Sequence, residues 1–419
     1  MPALLTAWEH ETLAIGQGAR DLSASEVDML ASISRTRPGF CTLGNRSVRL
    51  AQFAGLVNLG GRVLEVLPKV ASSNDASADR GTFLRLLHAA KRVPIHSRGA
   101  VGHSVERRTL LGVFIDAFLE EVSLLVRGGL LRQYQSLTDD LRVVRGRLQV
   151  TRQATVHGMR PDVISCRFDE LSIDNPRNQV LRTALSVVRP WIESVDAARR
   201  VAELGAAFEG AALLRNALPV IDGLLPDRRA IRYQDALRWA ELILRLLSPN
   251  LRSGNSPAPE MLFDMNRLFE AAIAANLKRR GRPLGVELSV QDTSHELEDR
   301  ESHPAFKLRP DMVLRSNGSL VAIVDTKWTL SAPGRSGRIE PEASHVYQMN
   351  AYASAFGCEE FYLVYPWHSG VDSAAPSVFH LKRRGGGPVR LNVVCVDVGS
   401  DDFPARHGCF HFLDGSETS

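Results

Sequence analysis

The stretch Leu308 to Trp328, LRPDMVLRSNGSLVAIVDTKW, constrains the fold more than any other part of the chain. Two apolar runs flank Asn317-Gly318, a pair that tolerates positive φ at both central residues of a type I′ turn. The runs are therefore expected to form an antiparallel hairpin, which fixes where its charged residues fall. Asp311 opens the first run, and Asp325 and Lys327 close the second at a comparable distance from the turn. Both carboxylates come to the same end of such a hairpin. Side chains alternate along a strand, so Asp325 and Lys327, two positions apart, project from one face.

Two carboxylates and a lysine converging on one point have a chemical meaning. Mg²⁺ is a hard cation that prefers carboxylate oxygens and usually takes one or two from a protein. Such an ion neutralises a phosphodiester and lowers the pKa of a bound water. A lysine beside it orients that water or stabilises the developing charge. The plainer alternative is a surface ion pair at the end of two strands, and the hairpin alone does not choose between them. Pro-Asp dipeptides also occur at Pro161-Asp162 and Pro226-Asp227, but neither leads into a hairpin and a D-x-K.

Flanking segments add to the constellation. PEMLFDMNRLFEAAIAANLKRR reads as one helix with an apolar stripe at Met265, Leu268, Phe269, Ala272 and Ile273. Glu270 sits beside that stripe, either approaching a metal or as a solvated helix charge. Downstream, HVYQMNAYASAF reads as a second helix, with Val346, Met349, Ala353 and Phe356 facing a core. Gln348 and Tyr352 are four apart and share one face; the alternative for Tyr352 is simple packing. FYLVYPW (361–367) reads as a buried strand.

The whole chain reads as an α/β multi-domain protein, its 419 residues being enough for two or three domains. Residues 1–80 form a β-rich N-terminal region, with SVRLAQFAGLVNLGGRVLEVLPKV alternating around a Gly60-Gly61 turn. Residues 81–254 form a helical middle region, where TLLGVFIDAFLEEVSLLVRGGLL has helical period and stops at Gly128-Gly129. An irregular arginine-rich stretch, RVVRGRLQVTRQ, interrupts it. SPNLRSGNSPAPE (248–260) reads as a linker, and residues 255–419 as an α/β domain.

Net charge is +4, from 51 basic and 47 acidic residues, so any nucleic-acid surface is a local patch. Only six of the basic residues are lysine. A lysine in this background marks a place where arginine's planar fork does not serve. The clusters RGRL, KRRGR and LKRRGGGPVRL are either phosphate contacts or plain solvated surface. The five cysteines are scattered without a C-x-x-C pair, as expected of reduced thiols in a reducing compartment. His407, Cys409 and His411 alternate, but no partner pair is evident to complete a zinc site. The N-terminus lacks a basic n-region, and no apolar run approaches the roughly 18 residues that span a bilayer. A cytoplasmic protein without membrane contact is expected. No Gly-Lys dipeptide occurs, hence no Walker A loop, so a partner would supply any nucleotide hydrolysis.

The ordered set of helix Glu, PD, D-x-K and Q-x-x-x-Y resembles the PD-(D/E)xK nuclease superfamily in its RecB-like branch. More narrowly, residues from about 50 to 370 resemble the McrC family, nuclease subunits of McrBC modification-dependent restriction systems. VLEVLPKV (63–70) resembles that family's I-x-PK-I signature. GLLRQYQSLTDDLRVVRGRL (129–148) and CRFDELSIDNPRNQVLRTAL (166–185) resemble two further family segments. The resemblance implies a C-terminal PD-(D/E)xK restriction-endonuclease-like domain. It implies Asp311, Asp325 and Glu270 around Mg²⁺ or Mn²⁺, Lys327 as the catalytic lysine, and Gln348 and Tyr352 completing the site. It also implies an McrB-like AAA+ GTPase ring as partner, docked on the N-terminal region, and double-stranded DNA carrying modified cytosine as substrate. Two other functions fit less of the pattern: a catalytically silent activator of the ring, and a standalone RecB-like repair nuclease.

Overall fold

The structure is a computed structural model, and it describes residues 3–70, 75–93, 109–160, 162–224, 228–247, 260–291, 295–298, 304–334, 337–371, 377–381, 387 and 389–413. All of the expected linker 248–260 but Glu260, together with Pro161, Pro226-Asp227 and most of LKRRGGGPVRL, lies outside the described residues. The chain forms two compact units, one of Met1–Ala3 with Leu111–Pro259 and one of Leu4–Leu110 with Glu260–Ser419. This differs from the three consecutive segments 1–80, 81–254 and 255–419 expected from the sequence.

The difference originates in five residues. EMLFD (260–264), expected to begin a helix, is a strand paired antiparallel with Phe53–Asn58. It is the fourth strand of a sheet ordered Ala3–Trp8, Arg62–Leu67, Phe53–Asn58, Glu260–Asp264. Asp264 then caps the helix Met265–Gly281, accepting from the amides of Asn266 and Arg267 at 2.9 and 3.3 Å. Gly55 makes the pairing feasible. Its φ is +137°, and a Cβ there would lie 2.0 Å from the Met261 carbonyl oxygen. Every residue of Phe53–Asn58 is buried, so the N-terminal region and the segment after 260 share one core. The N-terminal region is also less purely β than expected. Ser23 and Glu26 form a reciprocal capping box that starts a helix over Ala24–Thr36.

The second sheet of this unit carries the predicted hairpin. Its order is Val286–Val290, Met312–Ser316, Ser319–Thr326, Glu360–Pro366, Val389–Val396, Val378–Leu381, with Ala405–His407 also on Val389–Val396. Met312–Ser316 and Ser319–Thr326 pair antiparallel around Asn317 (φ +49°) and Gly318 (φ +80°), the expected turn conformation. Ser319–Thr326, Glu360–Pro366 and Val389–Val396 run parallel. The helix Ala343–Ala355 makes the first crossover. It buries Met349, Tyr352 and Ala353 against Val313, Ile323, Phe361 and Leu363. The helix Met265–Gly281 packs against Val286–Val290 and Ser319–Thr326.

The other unit is not simply helical. Gln133–Leu141, Ile164–Ser172 and Arg147–Leu148 form a three-stranded antiparallel sheet. Helices Leu110–Arg127, Pro176–Val188, Val195–Ala207 and Gln234–Leu247 fall in the stretch expected to be helical. The Asp-Asn-x-x-Asn segment has architectural work here. Asn175 and Asn178 both donate from Nδ2 to the Leu131 carbonyl at 2.9 Å. Asn175 also caps its helix. Tyr233 donates to Asn178 Oδ1 at 3.0 Å and accepts from the Leu131 amide at 2.8 Å. All five cysteines are free thiols. Among the described residues no helix is long and apolar enough to cross a membrane.

Candidate active site

The hairpin register places Asp311 and Asp325 together, as the turn requires. Met312 pairs with Val324, so the next step of the ladder sets the two aspartates opposite each other. The link between them is direct: Thr326 donates to Asp311 Oδ2 from its backbone N–H at 2.7 Å and from Oγ1 at 2.8 Å. Alternation puts Asp325 and Lys327 on the face of Ile323, which is covered by the helix Ala343–Ala355. Lys327 is also held by its backbone, donating to the Val364 carbonyl at 2.9 Å.

On that face four predicted residues form one network. Lys327 Nζ is 2.6 Å from Asp325 Oδ2 and donates to Gln348 Oε1 at 3.0 Å. Gln348 Nε2 donates to Asp325 Oδ1 at 3.2 Å and to the Tyr352 hydroxyl at 2.8 Å. Tyr352 donates in turn to the Arg309 carbonyl at 3.0 Å. The amide of Gln348 thus grips the ammonium with its oxygen and the carboxylate with its nitrogen. Tyr352 both packs and positions, since it is buried in the core beneath the site.

The electrostatics are those of a crowded, dry carboxylate. Asp325 is fully buried, and burial raises its pKa. The negative charge of Asp311 adds to that rise, and Lys327 opposes it. Asp325 Oδ2 meets no partner but the Lys327 ammonium, which stands 2.6 Å away. Burial pushes the Tyr352 phenol up to about 12.

Glu270 stands within the field of this group but is held apart. Burial, and then the charge of Asp311, raise its pKa. Its Oε1 accepts from Gln291 Nε2 at 2.9 Å. Among the described residues no three His, Cys, Asp or Glu side chains lie close enough to share a metal ion. The expected trio of carboxylates is therefore an adjoining pair, Asp311 and Asp325, with Glu270 turned to Gln291. His407 is spent otherwise, buried within 3.3 Å of Ser377 Oγ. A cavity of about 570 Å³ lined by Arg37, Arg92 and Arg267 contains none of the clustered residues.

Sequence reasoning missed four contributors. Thr326 lies inside the D-x-K but escaped notice because it points away from that face. Gln291 is left-handed at φ +53°, donates its amide to the Asp311 carbonyl at 2.9 Å and also receives Arg309 on Oε1. A non-glycine residue in that region stores strain of about 1 kcal/mol or more, of the kind that gathers at functional sites. The other two are Trp328 and Glu9. Trp328 Nε1 donates to Glu9 Oε2 at 3.0 Å. Nothing in the WEHE tetrapeptide distinguishes Glu9 from an exposed turn charge, yet it is 2% exposed.

Burial pushes Glu9 up to about 7, against hydrogen bonds from Trp328 and the Lys69 amide, with Asp264 and Asp79 adding to the rise. An unperturbed glutamate titrates near 4.5. Between those values the folded state keeps a proton that the unfolded state has released, so stability falls as pH rises through that window. At roughly 1.36 kcal/mol per pH unit, Glu9 accounts for a loss of at most about 3 kcal/mol. We expect Glu9→Gln to flatten the decline in urea-unfolding free energy between pH 5 and 8. Parallel profiles for the two proteins would contradict that assignment.

A family model described as McrBC 5-methylcytosine restriction system component matches residues 48–366. Among solved structures, the chain is similar to one from a half-complex of the tetradecameric assembly of Thermococcus gammatolerans McrB AAA+ hexamers with bound McrC. That match has a TM-score of 0.70 at 18% identity and covers 98% of each chain. A second match, in the cryo-EM structure of the Thermococcus gammatolerans McrBC complex, has a TM-score of 0.51 at 18% identity. It covers 66% of this chain and 88% of that one. No curated protein sequence matches.

Proposed function

The chain belongs to the family of McrBC 5-methylcytosine restriction system components, and on that footing we propose that it is the metal-dependent endonuclease subunit, of PD-(D/E)xK type. The observation that carries the reading is a pair of adjoining carboxylates: Asp325, fully buried, stands beside Asp311, with no partner at its Oδ2 but the Lys327 ammonium. Asp311 Oδ1 has no donor among the described residues. Two adjoining carboxylates suit Mg²⁺, or Mn²⁺ in its place, which takes one or two of them and fills its other positions with water and substrate phosphate. Bound there, the ion would supply Lewis acidity and a water acidified toward neutral pH.

The chain's own residues do the rest. Lys327, 22% exposed, can present its ammonium to the charge that develops on the phosphate. Gln348 fixes Lys327 and Asp325 relative to each other. Tyr352 stays a neutral phenol at physiological pH and anchors Gln348 rather than exchanging a proton. Glu270 shapes the field around Asp311 and Asp325 from its place on Gln291.

We assign the partner to an McrB-like AAA+ GTPase ring and the substrate to double-stranded DNA with modified cytosine. The support for the ring is the family itself and the likeness to McrC bound to McrB AAA+ hexamers. We place the ring contact on the 111–259 unit instead of residues 1–80. Tyr134, Val143, Val144 and Met159 of that unit are large apolar side chains left exposed, the kind that a partner covers. By contrast, the strands Phe53–Asn58 and Arg62–Leu67 are consumed by their own core.

The test is reconstitution with the ring. Mg²⁺ should support cleavage of 5-methylcytosine duplex, and chelation should abolish it. Stimulated nucleotide hydrolysis without a single nick, under any divalent metal, would establish the silent activator instead.

A further inference from the structure

The strand that carries the D-x-K ends at Thr326, and Lys327 continues it by one backbone hydrogen bond to Val364. What anchors the chain just beyond is the side chain of Trp328. Its ring lies 5.4 Å from that of Phe269, centroid to centroid, and Phe269 immediately precedes Glu270. Its indole N–H donates to Glu9. Trp328 is thus wedged between the helix bearing Glu270 and the N-terminal sheet.

Glu9 is a firm anchor. Its backbone N–H donates to the Leu67 carbonyl at 2.9 Å, and its Oε2 also accepts from the Lys69 amide at 3.1 Å. The carboxylate is tied to the end of the strand Arg62–Leu67 by its own main chain and its side chain together. No ion pair compensates it among the described residues, and Oε1 is buried without a hydrogen-bond partner. Burying an uncompensated carboxylate is expensive. Once ionised, above about pH 7, it gives the indole a charge-assisted acceptor, stronger than a neutral one.

We propose that Glu9 is a positioning residue for Lys327, acting through the clasp it makes with Trp328. The N-terminal sheet thereby sets the ammonium against Asp325 and Gln348, and through Phe269 fixes its distance from Glu270. The proposal rests on the nuclease reading for its kinetic consequence, but the clasp itself does not.

The experiment uses the full chain with its ring partner, Mg²⁺ and methylated duplex, and compares Glu9→Gln, Glu9→Leu and Trp328→Phe. Misplacing a catalytic group by an ångström lowers rates by up to about 100-fold. Glu9→Leu and Trp328→Phe are therefore expected to lower kcat by about 10- to 100-fold, with KM within about twofold and ring hydrolysis unchanged. Glu9→Gln, which keeps an acceptor, should stay within about threefold of wild type. Wild-type kcat in Glu9→Leu overturns the proposal. If Glu9→Leu fails to assemble, Trp328→Phe decides, because it keeps an aromatic ring beside Phe269 while removing the donor; wild-type kcat there overturns it equally. A wild-type complex that cuts no DNA removes the nuclease reading, and the clasp is then read from hydrogen exchange at the Lys327 amide. Exchange at least about tenfold faster in Glu9→Leu than in wild type and Glu9→Gln sustains it, and equal exchange overturns it.

Discussion

Lys327→Ala is expected to lower DNA cleavage by on the order of 10²–10³-fold, the usual loss when a preorganised donor to developing charge is removed. Nucleotide hydrolysis by the ring should continue, because Lys327 does not belong to the unit that carries the proposed docking surface. The variant leaves Asp325 buried beside Asp311 without its cation, so its carboxyl is driven further toward the protonated form. Lys327→Arg should not rescue. A planar fork cannot occupy the point 2.6 Å from Asp325 Oδ2 and 3.0 Å from Gln348 Oε1 in the way a compact ammonium does. Single-turnover cleavage of methylated duplex measures both variants, and wild-type rates in Lys327→Ala would remove the lysine from the mechanism.

Asp325→Asn is expected to separate function from stability. Cleavage should fall by roughly 10³-fold or more, since the metal's share of transition-state stabilisation is several kcal/mol. Without divalent metal, however, the variant should melt at a higher temperature than the wild type. The native carboxylate is fully buried and repelled by Asp311, whereas an amide carries no charge to desolvate. Adding Mg²⁺ should reverse the order, because an ion that binds only the folded site raises the stability of the wild type alone. Melting curves with and without Mg²⁺ read this directly. Equal stabilisation of both proteins by Mg²⁺ would place the ion elsewhere.

The legible part of the site was the part whose geometry is local. A type I′ turn and a period of two suffice to bring Asp311 to Asp325 and to set Lys327 on the same face, and helix spacing suffices to pair Gln348 with Tyr352. Residues whose roles depend on distant chain were opaque. Glu9 meets Trp328 only because the N-terminal sheet and the segment after 260 share a core. EMLFD looked helical because it abuts a strong helix. Its strand character comes from Gly55, which admits the Met261 carbonyl more than 200 residues away in sequence. The sheet of the 111–259 unit was hidden for the opposite reason. Gln133–Leu141 is mostly exposed, so its pattern lacks the apolar alternation that marks a half-buried strand.

The pairing of Glu260–Asp264 with Phe53–Asn58 also sets an order of events on the ribosome. The N-terminal segment leaves the exit tunnel with one sheet edge unpaired, and the strand that completes it follows only after an intervening unit of about 150 residues. At about 5–20 residues per second, that edge waits roughly 8 to 30 seconds for its partner. Every residue of the waiting strand is one that the finished protein buries. The chain therefore passes through an aggregation-prone state midway through synthesis, and the unit of Leu4–Leu110 with Glu260–Ser419 cannot be completed before its last strands have been translated.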